Sequence, residues 1–528
     1  MLVRFHAGLG RFLNSPLSGE ACRGMVTASI QERDTSFLDL IRQAVYEIPR
    51  SPYLALLRRA GAEYGDVSRL VRQDGVEAAL EKLYDSGVYV RLDEFKGLRP
   101  IERPGLTLPV KAEDFDNPIL RRDFNLTTGG STGRRRRLVI DLDLLVLEAA
   151  YGRMIEESQG VFDRPKAIWQ PVPPGSAGLK AALRAAKNGR PMDKWFSPTR
   201  ISWGPRACSS AIFTLSAVSM GRLRGSAIPF PKHVPLDEAW RVAEWMSEQA
   251  AAGRHAYLSA PASGVMRICG AARERKLDIS GSVFRVGGEP YTKGKRQVVA
   301  SSGSTAFSGW SLSECGPVAG GCARSDAVDD MHLLLGKIAL LQRAVRLKAD
   351  CGTVEAFHLT TLRRETPKIM LNVDCGDYGT LSRRRCGCAL EALWLGVHVY
   401  NLRSYEKLTT SGMHVPGAAI LELVEDVLPR LHGGAPSCYQ FVEEAGADES
   451  RIAILVGRSV PNLDEAALLR DVRAFLAGKS KGQRMMMDIW EQGGFLRVVR
   501  AEPHATSTGK TPALRVVPKI ETEIAGAK

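Results

Sequence analysis

No window of this 528-residue chain holds the roughly 18 consecutive apolar residues that a membrane-spanning helix requires. The start lacks the apolar core of a secretory signal. "MLVRFHAGLGRFLNSPLSGEACRGM" carries Arg4 and Arg11 and no acid before Glu20, a weak likeness to a transit peptide. A disordered leader, or an overextended start before Met25, accounts for it equally well. Cysteines number only ten and are scattered. Without an export signal, reduced thiols in a cytoplasmic protein are the expectation. Like-charge blocks are also short. Arg134 to Arg137 and Arg383 to Arg385 stand out in a chain of formal charge +14. A protein that binds polyanions by charge alone shows longer blocks. Nucleic-acid binders interleave aromatics among basic residues, whereas aromatics are 7% here and not interleaved. Membrane and nucleic-acid partners are therefore disfavoured, while the charge still permits polyphosphate ligands. The glycine fingerprint of dinucleotide folds is missing, as is any Ser/His/Asp or Cys/His nucleophile set. "STGK" ending at Lys510 is no Walker loop, because the required upstream glycine position is His504.

What is present describes a folded protein of two or more domains. Hydrophobic residues are 44% and charged residues 25%, ordinary for globular chains, and the length exceeds one core. From Ser36 to about Tyr89 apolar residues recur at helical spacing. "LVIDLDLLVLEAAYGRMIEE" passes from strand-like to helical, and "PKAIWQPVPPGS" reads as a short buried strand ending in a turn. "LDEAWRVAEWMSEQAAAG" predicts an amphipathic helix. "AYLSAPASGVMRICGAARER" then predicts strand, turn and helix, and "KLDISGSVFRVGGEP" a strand ending at Gly287 and Gly288. Strands alternating with helices mean α/β layers. After Arg403 the pattern restarts with "GAAILELVEDVLPRL", "RIAILVG", "LDEAALLRDVRAFLAG" and "FLRVVRAE", as in a compact α+β unit.

Two local features carry chemistry. "TTGGSTGR" (Thr127, Thr128, Gly129, Gly130, Ser131, Thr132, Gly133, Arg134) combines glycines, which let backbone N–H groups approach phosphates, with hydroxyl donors. A flexible loop with solvated arginines stays open as the alternative. Cys386-x-Cys388 offers two thiols from one loop, suited to Zn²⁺; two buried thiols beside a basic turn are the alternative.

In order along the chain, "TTGGSTGR", "FRVGGEP" (from Phe284), "GWSLSECG" (from Gly309), "VDCGDYG" (from Val373), "LRSYEKLTTSGMHV" (from Leu402) and "HATSTGKTPALR" (from His504) together resemble the motifs of adenylate-forming enzymes, the acyl-CoA synthetase superfamily. "SPYLALLRRAGAEYGDVSRL", "SECGPVAGGC" and "RRCGC" resemble the phenylacetate–CoA ligase-like branch. The resemblance spans Ser36 to Val517. It implies an α/β fold with a large N-terminal domain of layered α/β subdomains and a small mobile α+β C-terminal domain. The expected division is a leader or extended start over 1–35, an adenylation domain over 36–402 and a lid domain over 403–528.

The implied activity is ATP-dependent ligation of a carboxylic acid through an acyl-adenylate, then to CoA; a carrier-protein thiol or an amine is the alternative acceptor, and the branch leans towards aryl or arylacetic acids. A basic nucleic-acid binder or a non-catalytic scaffold on the same fold is the reading from another class. The implied roles follow the motifs. Thr127 to Gly133 would hold the β- and γ-phosphates. Gly287, Gly288 and Glu289 would line the nucleotide site. Glu314 would hold Mg²⁺ and Ser313 would contact phosphate. Trp310 would flank adenine or the acyl pocket, that pocket lying between about Trp203 and Phe230 and around Phe284 to Ser308. Asp377 would accept from the ribose hydroxyls with Arg403 alongside, and Lys510 would reach the α-phosphate and carboxylate oxygens. Glu314 as a surface acid, Asp377 as a turn cap and "STGKT" as a plain tail stay open. The resemblance also pairs Cys386 and Cys388 with Cys322 and His332 as a structural zinc set, with Cys315 as a spare. The hinge is expected at Tyr405 or Glu406. Tyr405, Asp374 and Ser311 depart from the family pattern, which leaves adenylation intact and puts the standard second half-reaction with CoA in question.

Overall fold

A computed structural model describes residues 2–120, 124–127, 137–173, 177–201, 208–346, 353–404, 417–444, 451–479, 496–506 and 509–517. Two short hairpins come first: β1 (Ile101–Arg103) with β2 (Leu106–Leu108), and β3 (Phe124–Thr127) with β4 (Arg137–Ile140). A twelve-stranded sheet follows, built from β5 (Lys166–Trp169), β6 (Lys194–Ser197), β7 (Pro231–His233), β8 (Tyr257–Pro261), β9 (Val283–Gly287), β10 (Thr305–Leu312), β11 (Gly316–Gly321), β12 (Met331–Leu333), β13 (Ile338–Arg346), β14 (Thr353–Thr361), β15 (Val373–Arg383) and β16 (Val397–Ser404). The C-terminal sheet has β17 (Tyr439–Glu444), β18 (Arg451–Val456), β19 (Leu496–Val499) and β20 (Leu514–Val517), in the order β19-β18-β17-β20. The fold is thus mixed α/β, with a large N-terminal part and a small C-terminal part.

One half of the large sheet runs β7-β6-β5-β8-β9-β10, with each neighbouring pair parallel. This is the doubly wound order, although the glycine fingerprint that usually announces it is absent. Strand order reverses between β5 and β8, and crevices for ligands form at such switch points, outside the carboxyl ends of the strands. All four residues of β5 are buried, as expected for a strand covered on both faces. The helix Leu142–Ser158 covers one face. Asp141 caps its start by accepting from Asp143 N–H (2.7 Å). The antiparallel half, β11 to β16, packs its Leu340, Phe357 and Leu359 on the N-terminal helices.

The segment expected as a leader carries the helices Leu2–Leu13, Gly19–Gln31 and Arg33–Ile41. Leu9, Phe12 and Leu13 pack with Leu179 and Trp195, while Cys22 and Val26 pack with Met154. Apolar residues at helical spacing let this segment bury a face.

A buried ion pair ties the two parts together. Lys295 Nζ lies 2.7 Å from Glu425 Oε1, with both side chains under one-tenth exposed, and Thr292 Oγ1 donates to Glu425 Oε2 (2.8 Å). Lys295→Met alone is expected to cost about 3–5 kcal/mol, because it strands a buried carboxylate. Lys295→Met combined with Glu425→Met should cost less than the single change. Chemical unfolding of the three variants measures this.

Candidate active site

The C-terminal ends of β8 and β9 meet the chain around Lys510. β8 runs into the helix Ala262–Glu274, whose Ser263 faces the segment just after β9. Glu289 accepts from Ser263 N–H (2.7 Å), Ser263 Oγ (3.0 Å) and Thr511 N–H (2.6 Å). The single Ser263 hydroxyl proton is shared between Glu289 Oε1 and Gly509 O (3.1 Å), and Ser263 Oγ accepts from Thr511 N–H (3.1 Å). A residue of the large part therefore clamps the backbone on both sides of Lys510. The local loop is tight: Gly509 N–H donates to Thr506 O (2.8 Å), Thr506 N–H to Lys510 O (2.7 Å), and Lys510 N–H to Thr506 Oγ1 (3.1 Å). Gly509 has φ +83°, a conformation that favours glycine. The lysine side chain lies over Gly288, where a Cβ would meet its Cε and Nζ at 2.7 Å.

Asp377 lies near the start of β15 and receives a hydrogen bond from Trp310 Nε1 (3.1 Å). Trp310 is 4% exposed and packs its ring 5.6 Å from that of Phe357, so it is a core residue that orients Asp377. Arg403 pairs in register with Tyr378. Its Nη1 lies 3.5 Å from Asp329 Oδ2, and Asp329 also accepts from Asn401 and Leu402 N–H (both 2.9 Å). Sequence reasoning passed over both Ser263 and Asp329. Nothing local marks Ser263, and Asp329 reads as one more acid in a loop. In the turn between β10 and β11, Ser313 is exposed and Glu314 partly buried. Thr127 contributes its backbone to β3. Thr128 to Gly133, Trp203 and the hinge at Tyr405 and Glu406 lie outside the described residues. Phe230, at the far end of the expected acyl pocket, is 45% exposed and covered by Arg222 at 5.0 Å.

Cys322, His332, Cys386 and Cys388 converge, with their ligand atoms all within 4.8 Å of one another. His332 Nε2 lies 3.7 Å from Cys386 Sγ and 3.2 Å from Cys388 Sγ. Gly387, at φ +69°, turns the chain so that both thiols point the same way. His332 Nδ1 donates to Leu395 O (2.5 Å), which leaves the Nε2 lone pair aimed at the sulfurs. Such an outer hydrogen bond normally fixes a metal-ligating imidazole. A hydrogen bond from Cys322 holds the Cys388 thiol below its usual range, with His332 adding to the effect, and the same bond pushes Cys322 up. The edges of a zinc tetrahedron with three thiolates and an imidazole are roughly 3.5–3.8 Å by the usual bond lengths, so the donor set of three cysteines and one histidine fits that ion. Cys315 is buried elsewhere and does not join the group. Asp330 and His398 stand beside it, joined at 2.8 Å.

No family model matches the chain, and no curated protein sequence matches it. Among solved structures, it resembles a 2-hydroxyisobutyryl-CoA ligase in an open conformation with 2-HIB-AMP and CoA: 15% identity over 92% of this chain and 91% of that one, TM-score 0.48. An acetoacetyl-CoA synthetase from Streptomyces lividans is also 15% identical, over 92% of this chain and 76% of that one, TM-score 0.40. ATP-bound MatB from Rhodopseudomonas palustris is 13% identical over 77% and 68%, TM-score 0.41.

Proposed function

We propose that the chain is an adenylate-forming enzyme, joining a carboxylic acid to the α-phosphate of ATP and releasing pyrophosphate. More narrowly, we read it as an AMP-forming acid–thiol ligase that passes the acyl group to CoA, with a carrier-protein thiol or an amine as the alternative acceptor. The observation that carries the reading is the clamp of Ser263 and Glu289 on Gly509 and Thr511, which holds Lys510 over Gly288. An ammonium carried on a segment clamped at the ends of parallel strands suits a transition state that gains negative charge.

The chemistry asks little covalent work of the protein. The carboxylate attacks the α-phosphorus and pyrophosphate leaves. Positioning and charge compensation supply the rate. Lys510 is the residue assigned to the oxygens of the reacting phosphate and carboxylate. Thr127, Thr128, Gly129, Gly130, Ser131, Thr132 and Gly133 are assigned to the leaving diphosphate, and Gly287, Gly288 and Glu289 to the nucleotide wall. Asp377 is assigned to the ribose hydroxyls. Trp310 and Arg403 are positioning residues around it, and Ser313 is assigned to phosphate. Glu314 would hold Mg²⁺, whose charge offsets that of the triphosphate. Cys322, His332, Cys386 and Cys388 would hold Zn²⁺ in a structural role. The acid is read as aryl or arylacetic on the resemblance alone.

Acid-dependent exchange of pyrophosphate into ATP tests the reading, and exchange is expected with at least one acid of a broad panel. Asp377→Ala should raise the KM for ATP about tenfold to a hundredfold, the size of losing hydrogen bonds to a charged group. Asp377→Asn keeps an acceptor for the Trp310 indole, so it separates ribose binding from support of the tryptophan. Equal KM values for wild type and Asp377→Ala would remove Asp377 from the site.

A further inference from the structure

We infer that the layer between the large sheet and its covering helices binds a small inorganic oxyanion, phosphate or sulfate, through Arg285 and Ser259. This site shares no residue with the one at Lys510 and does not depend on the function proposed above. A cavity of about 70 Å³ lies between the sheet and the helices Leu142–Ser158 and Ala177–Lys187. Its floor comes from β5, β8 and β9. Parallel strands covered on both faces normally read as apolar runs, yet Lys166, Ser259 and Arg285 stand on this floor. Ser259 and Arg285 are register partners on neighbouring strands, so their side chains leave the same face side by side.

The charges around the cavity do not balance. Glu148 and Glu156 are the lining acids, and both are committed. Glu156 holds Lys166 at 2.5 Å. Glu148 holds Arg184 at 3.0 Å and Lys337 at 3.3 Å. Arg285 is left over: among the described residues its guanidinium has no ion pair or hydrogen bond, and the Ser259 hydroxyl has no hydrogen bond. Burial pulls the Arg285 pKa below the usual arginine value, with Tyr257 opposing and Arg184 adding to the fall. Lys180, one turn before Arg184, is likewise held down to about 8 by burial, with Glu148 opposing and Arg184 and Lys337 adding. Buried charges are normally paired, because the loss of solvation is otherwise uncompensated. An anion in the cavity supplies the missing partner.

Shape and size point to the same class of ligand. The Arg285 guanidinium rests on Gly309, where a Cβ would meet Nη2 at 2.8 Å. The missing side chain at Gly309 is therefore what lets the arginine lie along the sheet. A guanidinium gives an oxyanion two parallel hydrogen bonds, and a neighbouring hydroxyl gives a third to a remaining oxygen. One water needs a cavity of roughly 10–15 Å³, so this one takes an ion of about five heavy atoms and little more. A nucleotide or other ligand needing roughly 300 Å³ is excluded. Arg285 and Ser259 are only partly buried, and the side chains of Arg184 and Glu156 keep 20% and 18% exposure. An ion can thus exchange with solvent.

The test uses the full chain, dialysed free of phosphate and sulfate. Its melting temperature is followed against sodium phosphate, sodium sulfate and sodium chloride at matched ionic strength. Phosphate or sulfate should raise it saturably, by about 3 °C or more at a hundredfold excess over Kd, and chloride by much less. Arg285→Gln should abolish the rise. In oxyanion-free buffer the same variant should melt at or above the wild-type temperature, because it removes a charge that lacks a partner. Calorimetric titration with phosphate should show binding weakened about tenfold in Ser259→Ala, and weakened also in Gly309→Ala, which displaces the arginine. Lys510→Ala should leave the rise unchanged, which keeps this ion apart from any phosphate bound at the lysine. The inference is overturned if chloride matches the oxyanions, if wild type shows no rise, or if the rise survives Arg285→Gln or is lost in Lys510→Ala. A folded Arg285→Gln that melts well below wild type without oxyanion would also overturn it, since the arginine would then already have its partner. Should Arg285→Gln fail to fold, Ser259→Ala decides: unchanged phosphate affinity there sinks the site.

Discussion

Lys510→Ala is expected to lower acid-dependent pyrophosphate exchange by about 10²–10³-fold, the usual effect of deleting one charge-stabilising donor. Transfer from a supplied acyl-adenylate to the acceptor should be spared, because the role proposed for the lysine is confined to the step in which charge builds on the reacting phosphate. The site makes the lysine's position a property of several residues. Glu289 and Ser263 hold the backbone of Thr511 and Gly509, and Gly288 leaves room for the side chain. A second variant, Gly288→Ala, therefore tests the same claim from the opposite side. Its methyl would sit 2.7 Å from Lys510 Nζ and Cε, at a φ of +76° that strains any L side chain. It should lower exchange in the same direction without touching the charge. Exchange at the wild-type rate in Lys510→Ala would remove this lysine from the reaction, whatever Gly288→Ala did.

The second large effect concerns the thiol cluster. Pure protein should carry about one zinc per chain by the four-ligand rule, measured by elemental analysis. Cys388→Ser, or prolonged exposure to a strong chelator, should remove the metal and cost roughly 5 kcal/mol or more of stability, since binding energy at a structural site is folding energy. The mechanical reason lies in the connections the cluster makes. Cys322 follows β11, His332 belongs to β12, and Cys386 and Cys388 lie between β15 and β16. The metal would pin a loop to the sheet beside Asp330, which Arg384 and His398 already hold. Cys315→Ser, a buried thiol outside the group, serves as the control and should keep the zinc. Fully folded, zinc-free protein whose melting ignores chelator would reduce the four residues to ordinary packing.

The local grammar of the chain was legible in one dimension. The strand at Lys166–Trp169, the helix after Asp141 and the strand ending at Gly287 follow from periodicity and turn residues within a few positions of one another. The Cys-x-Cys pair and the glycine before Lys510 could likewise be read locally. The helices Leu2–Leu13 and Gly19–Gln31, unlike those after Ser36, were not read locally, because their burial depends on partners such as Leu179 and Met154 far along the chain. The doubly wound order was hidden too, since strand neighbours are chosen by packing and not by any residue in the strand.

What the sequence determined alone was therefore the set of elements and the inventory of reactive side chains. The tertiary structure decided which of them meet. It set Ser263 and Glu289 on Thr511 across more than 200 residues, at separations of 248 and 222, and brought His332 to Cys388 across 56. It also left Arg285 facing a cavity with both neighbouring acids taken. The physical reason is that helix and strand propensity act over a few residues, whereas the pairing of charges and ligands depends on how buried faces fit once the chain has closed on itself.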